Sequence, residues 1–162
     1  DHITILKSMK LIDFKLKPRL LIIGKGENLN SLKEYVHDQN MQKYIRFTGY
    51  LKNPYNYIKN TKILILTSKF EGLPNILIEA QFLKKYIIST DCPTGPREIL
   101  LNGLAGDLIK IGDHKKLAFL INNYYNNKKN IRKKINIGSK NLNRFDYKKN
   151  CQQYLNFVLN NF

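Results

Sequence analysis

Short apolar runs alternate with amphipathic helical stretches up to about residue 109, and this alternation constrains the fold more than any other feature of the chain. The runs predict five β-strands, at residues 19–23, 44–48, 62–66, 86–89 and 106–109. In the run at residues 62–66 every residue after Lys62 is apolar, as expected of a strand that helices cover on both faces. Strands separated by helices predict an α/β fold with a doubly wound parallel sheet of five to six strands.

From about Asp113 onward the apolar spacing is helical throughout, and no linker rich in Pro, Gly or Ser interrupts it. The chain has 162 residues, which corresponds to about one domain of ordinary size. We therefore expect residues 1–162 to form a single domain, with the last helices, about 128–162, packing on it.

The chain is strongly basic: 28 Lys and Arg residues against 12 Asp and Glu residues give a formal net charge of +16. This surplus favours polyanionic partners such as nucleotides, nucleic acid or an anionic membrane surface, although a composition bias towards Lys and Asn explains it equally well. The two cysteines, Cys92 and Cys151, have no metal-binding spacing, which indicates a reduced, cytosolic protein without a metal site. No apolar run approaches the roughly 20 residues of a membrane-spanning helix.

Three loops that follow predicted strands are candidates for a ligand site, because open α/β sheets bind ligands at the carboxyl ends of their strands. In the first loop, Gly24 and Gly26 allow the backbone to approach a phosphate, and Lys25 adds charge. The dinucleotide fingerprint is incomplete there, so an ordinary turn is the alternative. In the third loop, Arg97 follows a turn at 95–96 and is a candidate phosphate contact, with a solvated side chain as the alternative.

The second loop carries the strongest signal, because it places two carboxylates around the start of a helix. Glu71 follows the third predicted strand, and Pro74 is expected in the first turn of the next helix. Glu79 lies in that helix among apolar neighbours, where an unpaired carboxylate is costly to bury. A ribose or sugar diol would supply two hydroxyl donors for it. The alternative is that Glu79 reaches water or pairs with Lys84 or Lys85.

The segment from Glu71 to Glu79 resembles the E-x7-E motif of family 4 glycosyltransferases, which are retaining enzymes of the GT-B fold. Further segments resemble that family's blocks in the same order, at residues 21–26, 45–49, 87–91, 95–99 and 110–113. The resemblance covers most of the chain. It implies that the chain is the carboxyl-terminal, Rossmann-like, donor-binding half of a GT-B enzyme.

The resemblance also implies a role for each matching position. Glu79 would bind the ribose hydroxyls of a nucleotide-sugar donor, and Glu71, the catalytic candidate, would contact hydroxyls of the donor sugar. Arg46 and Gly49 would border the nucleobase. The donor sugar and diphosphate would be bound by Gly24, Lys25, Gly26, Gly72, Leu73, Pro74, Asn75 and Ile76. Retaining enzymes of this type work without a metal, since basic side chains and helix dipoles stabilise the departing diphosphate.

The family's diphosphate-gripping Arg and Lys come immediately before the segment that residues 1–6 resemble. We therefore expect this basic pair and an N-terminal acceptor domain to be absent from the chain. The isolated chain is accordingly expected to bind donor weakly and to be inactive in transfer.

The expected function is transfer of a sugar from a nucleotide sugar, a UDP-sugar on family frequency, to a polysaccharide, lipopolysaccharide or lipid-linked glycan of the bacterial cell envelope. The acceptor would be bound through the missing domain, and a cytoplasmic enzyme would contact the anionic inner face of the cell membrane peripherally. No cofactor, metal or nucleic acid is expected. The alternatives are a GT-B epimerase or hydrolase of nucleotide sugars and, on charge alone, a basic nucleic-acid-binding module.

Overall fold

The chain folds as alternating strands and helices, and a computed structural model describes residues 1–16 and 18–161. The strands are β1 Leu20–Ile23, β2 Ile45–Gly49, β3 Ile63–Leu66, β4 Tyr86–Thr90 and β5 Asp107–Ile109. The helices are α1 His2–Met9, α2 Leu29–Asp38, α3 Tyr55–Asn60, α4 Asn75–Phe82, α5 Pro96–Ile99, α6 His114–Asn122, α7 Lys128–Lys140 and α8 Tyr147–Asn161. Two short 3-10 turns lie at Phe14–Leu16 and Leu142–Phe145.

All five predicted strands are confirmed, and they run parallel. Their hydrogen bonds divide them into two groups, β1–β2 and β3–β4–β5, instead of the single sheet that was predicted. Leu20 pairs with Ile45 in the first group, and Ile63 pairs with Tyr86 in the second. The five strands therefore form two short parallel ladders.

Side-chain packing from α1 and α6, rather than a backbone ladder, joins the two groups of strands. Leu6 and Ala118 belong to the core cluster that contains residues of β1 and β2. Their neighbours Ile5 and Leu117 belong to the cluster that contains residues of β4 and β5. Successive residues of a helix point about 100° apart, so each of these helices buries adjacent side chains in both clusters.

Helix α7 is anchored to the domain by a partly buried ion pair and the hydrogen bonds around it. The Lys134 ammonium donates to Asp107 Oδ1 at 3.1 Å and to the carbonyl oxygens of Gly103 and Gly106 at 2.8 and 3.2 Å. The Tyr86 hydroxyl donates to the second carboxylate oxygen, Asp107 Oδ2, at 2.6 Å. Both oxygens of one carboxylate are thus used to fix α7 against β4 and β5.

The two C-terminal helices differ in how much they bury. In α7, a Cβ at Gly138 would lie 3.1 Å from the Gln81 side chain, so the two helices α4 and α7 approach closely there. In α8, none of residues 147–161 is buried, and its start is capped by Asp146, which accepts a hydrogen bond from the Lys149 N–H at 2.9 Å. The compact part of the domain therefore ends before α8.

The start of α4 differs by one residue from the prediction. Pro74 has ψ of 97°, an extended value, and therefore precedes the helix as its N-cap residue. Asn75 is the first helical residue. Because Pro74 cannot accept a hydrogen bond through its side chain, no side chain caps the first amide groups of α4.

We expect alkaline unfolding of this domain to depend on Tyr86. Burial, aided by the hydrogen bond to Asp107 and its charge, raises the pKa of Tyr86 well above its ordinary value of 10.0. An unfolded chain loses the proton near that ordinary value, so the stability contributed by neutral Tyr86 is present below pH 10 and falls as the pH rises above it. Urea unfolding between about pH 8 and pH 11 should show a shallower alkaline decline for Tyr86→Phe than for the wild type.

The matched control is Tyr50→Phe, because Tyr50 is 70% exposed. Its alkaline decline should equal that of the wild type. Identical declines for all three proteins would contradict the prediction.

Candidate functional site

The glycines that follow β1 and β2 meet at one end of the first strand pair. The Gly24 N–H donates to the Gly49 carbonyl at 2.8 Å. Both residues have positive φ, 126° and 71°, which L side chains rarely adopt. Lys25 and Gly26, the other residues predicted for this loop, are exposed. The first predicted loop therefore presents an open backbone and an exposed lysine at the carboxyl end of the strands.

Arg46, predicted at the nucleobase border, lies within β2 beside that loop. It is exposed and pairs in register with Leu21 of β1. Its side chain is therefore on the surface of the strand pair that ends at Gly49.

The loop between β3 and α4 carries the first of the two carboxylates. Glu71 is half-buried, whereas Gly72 and Leu73 are exposed. Pro74 is buried, and Asn75 and Ile76 open helix α4, whose first amides are not capped by a side chain. These amides and the positive end of the helix dipole give the loop a preference for anions.

The last residue of β4 and the loop that follows it hold the backbone of the carboxylate loop by three contacts. The Thr90 hydroxyl donates to the Ser68 carbonyl at 2.6 Å, and the Thr94 hydroxyl donates to the Glu71 carbonyl. Gly95 lies directly against the Gly72 carbonyl: a Cβ there would be 2.0 Å from that oxygen and 2.6 Å from Pro74 Cδ. The second and third predicted loops therefore form one rigid unit.

Glu79, the second carboxylate, is half-buried on α4 and accepts a hydrogen bond at 3.3 Å from the hydroxyl of Tyr55, the first residue of α3. The charge of Glu79 and this hydrogen bond raise the pKa of Tyr55, so its hydroxyl stays protonated and donates. The alternative partner Lys85 instead donates to the Lys59 carbonyl at 2.5 Å. One oxygen of Glu79 is thus held by Tyr55, and the other has no such contact among the described residues.

Tyr55 and Gly95 are the residues that sequence reasoning missed. Tyr55 is 24 positions from Glu79, and no periodicity connects them. Gly95 was seen only as part of a turn, although a glycine followed by proline at the start of a helix could have signalled a close backbone contact.

Arg97 is held by a neighbour in the same loop. Its Nε donates to Asp91 Oδ1 at 3.0 Å, and its Nη2 donates to Asp91 Oδ2. This forked pairing commits the guanidinium to a carboxylate. As a phosphate contact, Arg97 would have to leave Asp91.

Cys92, in the same loop, is a packed thiol. It is 2% exposed, and burial raises its pKa, which disfavours the nucleophilic thiolate. Among residues 1–16 and 18–161, no group of three or more His, Cys, Asp or Glu side chains has the arrangement of a metal site. Within the same residues, no helix is long and apolar enough to cross a membrane.

The described hydrogen bonds group the predicted site residues in two places. They join Gly24 to Gly49, and they join Glu71, Gly72 and Pro74 to the loop after β4. In the part of the chain that the structure describes, no hydrogen bond connects the loop at 24–26 with the loop at 71–74. Both loops nevertheless follow the carboxyl ends of parallel strands.

Comparison with known proteins gives one family match over most of the chain. The family model described as glycosyl transferases group 1 matches residues 1–142. An uncharacterized glycosyltransferase of Methanocaldococcus jannaschii is 41% identical over 97 residues, which are 59% of this chain and 24% of that protein. The lipopolysaccharide 1,6-galactosyltransferase of Salmonella typhimurium is 35% identical over 98 residues, 58% of this chain and 27% of that protein. The chain thus spans about a quarter of the length of these relatives.

The fold matches solved structures over nearly its whole length. The Anabaena protein Alr3699/HepE in complex with UDP-glucose superposes with a TM-score of 0.86 at 16% identity, over 97% of this chain and 44% of that one. The α/β fold with parallel strands and C-terminal helices therefore matches half of a GT-B glycosyltransferase, as the sequence predicts.

We expect Gly95→Ala to damage the site by separating the two loops. The new Cβ would overlap the Gly72 carbonyl and Pro74, and alanine is strained at the φ of +81°. The free energy of unfolding should fall by about 1–3 kcal/mol. Gly26→Ala is the matched control, because no atom lies within 4 Å of its added Cβ. Urea unfolding measures both, and equal stability of the two variants would contradict the prediction.

Proposed function

Because the chain belongs to the group 1 glycosyltransferases, we propose that it is the donor-binding half of a retaining glycosyltransferase. The proposed donor is a nucleotide sugar, and specifically a UDP-sugar. The observation that carries the proposal is the pair of half-buried carboxylates, Glu71 and Glu79, around the uncapped start of α4. Glu71 lies on a loop whose backbone accepts a hydrogen bond from Thr94, and Glu79 accepts a hydrogen bond from Tyr55.

Glu79 is proposed to bind the ribose of the donor. A half-buried carboxylate gains most from charge-assisted hydrogen bonds, and the vicinal hydroxyls of a ribose supply two donors. Tyr55 holds one carboxylate oxygen, which restricts the side chain before the ligand arrives. Arg46 and Gly49, at the end of β2, are proposed to border the nucleobase.

Glu71 is proposed to contact the donor sugar, while the backbone holds the diphosphate. The backbone N–H groups of Gly72, Leu73, Asn75 and Ile76 precede or open α4, where the helix dipole favours negative charge. Pro74 has no N–H and would contribute only shape. As the diphosphate departs, these fixed dipoles would stabilise the charge that develops, without a metal.

The glycine loop after β1 is proposed to supply the second wall of the diphosphate site. Gly24 and Gly26 leave room for phosphate oxygens, and Lys25 is a free, exposed cation beside them. Arg97 is a weaker candidate, since its guanidinium is paired with Asp91.

The acceptor is proposed to be a polysaccharide, a lipopolysaccharide or a lipid-linked glycan, bound by a separate N-terminal domain. The name of the Salmonella relative, a lipopolysaccharide galactosyltransferase, supports this class of acceptor. The first residue of the chain lies near the carboxylate loop, since the Thr67 hydroxyl donates to the Asp1 carbonyl at 2.8 Å. A preceding segment with the family's basic pair would therefore enter beside Glu71. We place the enzyme in the cytoplasm, in peripheral contact with the inner face of the membrane.

Donor binding is tested by ligand-detected NMR of the chain with UDP-, GDP-, ADP- and CMP-sugars. We expect saturation of the ribose and base protons of the UDP-sugar. Glu79→Gln should weaken this binding by about tenfold or more, because hydrogen bonds to a charged group are lost. Tyr55→Phe should cause a smaller loss, since it frees Glu79 without removing its charge.

Glu34→Gln is the matched control, because Glu34 is an exposed carboxylate on α2 and should leave donor binding unchanged. Equal binding by Glu79→Gln and the wild type would overturn the assignment of the ribose site. Preference for another nucleotide would keep the site and change the donor.

The chain by itself should neither transfer nor hydrolyse the sugar, because the basic pair that would stabilise the leaving diphosphate is expected upstream. An assay for released UDP, with and without simple sugar acceptors, should stay at background. Release of UDP without acceptor, or epimerised donor by NMR, would favour the epimerase or hydrolase alternative. Transfer by the chain alone would show that it does not need the upstream pair.

A further inference from the structure

Helix α5 is a single turn of four residues, and its end is held by side chains from distant parts of the chain. The last carbonyl groups of a helix have no partner within the helix itself. The Ile99 carbonyl accepts hydrogen bonds from Gln81 Nε2 at 2.9 Å and from Arg144 Nη2 at 2.5 Å. The Glu98 carbonyl accepts a hydrogen bond from Arg144 Nη1 at 2.9 Å. One side chain of α4 and one of the 3-10 turn before α8 therefore hold the end of α5.

The backbone that leaves α5 is strained. Leu101 and Asn102 have φ of 52° and 53°, and Gly103 has φ of 91°. Residues other than glycine adopt this left-handed conformation only where the surrounding structure enforces it, and such strain is frequent at functional sites. The hydrogen bonds of Arg144 to α5 lie immediately before this turn, so they hold the helix end where the backbone reverses.

Arg144 is poorly suited to a purely stabilising role. Its hydrogen-bond acceptors are backbone carbonyls, and it forms no ion pair among the described residues. Within the same residues its Nε is buried without a hydrogen-bond partner. Burial lowers the pKa of the guanidinium, against the opposing effect of the Glu98 charge. A desolvated cation without a carboxylate partner adds little stability, so the directions of its hydrogen bonds explain its presence better.

Apolar packing and the guanidinium fix different aspects of α5. Ile99 and Leu100 are fully buried in the core cluster that also contains residues of α4 and β4. Apolar burial is not directional, whereas the planar guanidinium donates in fixed directions. The Arg144 guanidinium itself lies over the Phe145 ring, 4.4 Å from the ring centroid. Packing therefore sets how deeply α5 is buried, and Arg144 sets its position along its own axis.

The other end of α5 contacts the carboxylate loop. Gly95 lies against the Gly72 carbonyl so closely that an added Cβ would be 2.0 Å from that oxygen. The Ile99 N–H donates to the Gly95 carbonyl at 2.9 Å. One hydrogen bond thus connects the residue that Arg144 holds with the residue that touches Gly72. A displacement at the end of α5 would therefore reach the loop of Glu71.

We propose that Arg144 is a positioning residue for the donor site, which holds the end of α5 and thereby keeps Gly95 against the loop that carries Glu71. Arg144 touches neither the donor nor the reacting atoms and acts through α5. The inference rests on the proposed function in one respect, because it takes the nucleotide sugar as the ligand of that loop.

The first test needs no ligand. Proton–nitrogen correlation NMR compares the wild-type chain with Arg144→Met. We expect the amide resonances of Gly72 and Gly95 to shift. The Ile99 amide should also exchange faster with solvent relative to the Ile88 amide of β4, because the opening at α5 is local and does not involve the whole fold.

Lys134→Met is the matched control for the loss of an anchored cation. Lys134 also donates to two backbone carbonyls, those of Gly103 and Gly106, but these lie beyond α5. This variant should be less stable than the wild type and should leave the resonances of Gly72 and Gly95 in place.

The second test is the affinity for UDP-glucose, measured by NMR titration. Arg144→Met should bind about threefold to tenfold more weakly than the wild type, the size of effect expected of a residue that acts through its neighbours. Arg144→Lys keeps the charge without the forked geometry and should give an intermediate affinity. Arg132→Met is the control for loss of an exposed arginine and should bind as the wild type does.

Circular dichroism verifies that each variant is folded, and Arg144→Lys carries both tests where Arg144→Met unfolds. Unchanged resonances of Gly72 and Gly95, or equal shifts in Lys134→Met, would overturn the proposal whether or not the wild type binds a donor. Shifted resonances with unaltered affinity would also overturn it, since Arg144 would then be structural only. If the shifts occur but the wild type binds no nucleotide sugar, the link from Arg144 to the carboxylate loop stands and the proposed donor fails.

Discussion

The contact between Gly95 and the Gly72 carbonyl determines the shape of the candidate site, because it joins the loops that follow two adjacent strands. A side chain at position 95 would overlap the Gly72 oxygen and the ring of Pro74. The hydroxyls of Thr90 and Thr94 donate hydrogen bonds to carbonyl groups of the loop that contains Gly72, at Ser68 and Glu71. With its backbone fixed in this way, Glu71 is presented by a loop without regular structure of its own, and little reorganisation is needed when a ligand binds.

Glu79, unlike Glu71, is carried by a helix and is held through its side chain. It lies on α4 and accepts a hydrogen bond from Tyr55, the first residue of α3. Tyr55 also follows the strand that ends at Gly49, so the carboxylate and the proposed nucleobase border are linked through one short helix. In a nucleoside diphosphate sugar the ribose lies between the base and the diphosphate. The contact between Glu79 and Tyr55 therefore supports the proposal that Glu79 binds the ribose.

The elements of the fold could be predicted from the sequence, because each depends on a local pattern of apolar residues. The strands are short runs in which apolar residues predominate, and the E-x7-E spacing lies within one loop and one helix. The contacts between elements could not be predicted in this way. Tyr55 and Glu79 meet through a single hydrogen bond between α3 and α4, and Gly95 meets Gly72 because β3 and β4 are neighbours in the sheet. The division of the strands into two ladders likewise depends on how α1 and α6 fill the space between them, which no single segment encodes.

Helix α7 shows that the position of a charge matters more than the total charge of the chain. Lys134, on the inner face, is surrounded by Asp107 and two backbone carbonyls, and its desolvation is offset by these partners. The cations on the outer face have no carboxylate partner within the described residues and repel one another along the helix. The inner cation of the helix is thus neutralised within the fold, whereas the outer cations keep their charge on the surface.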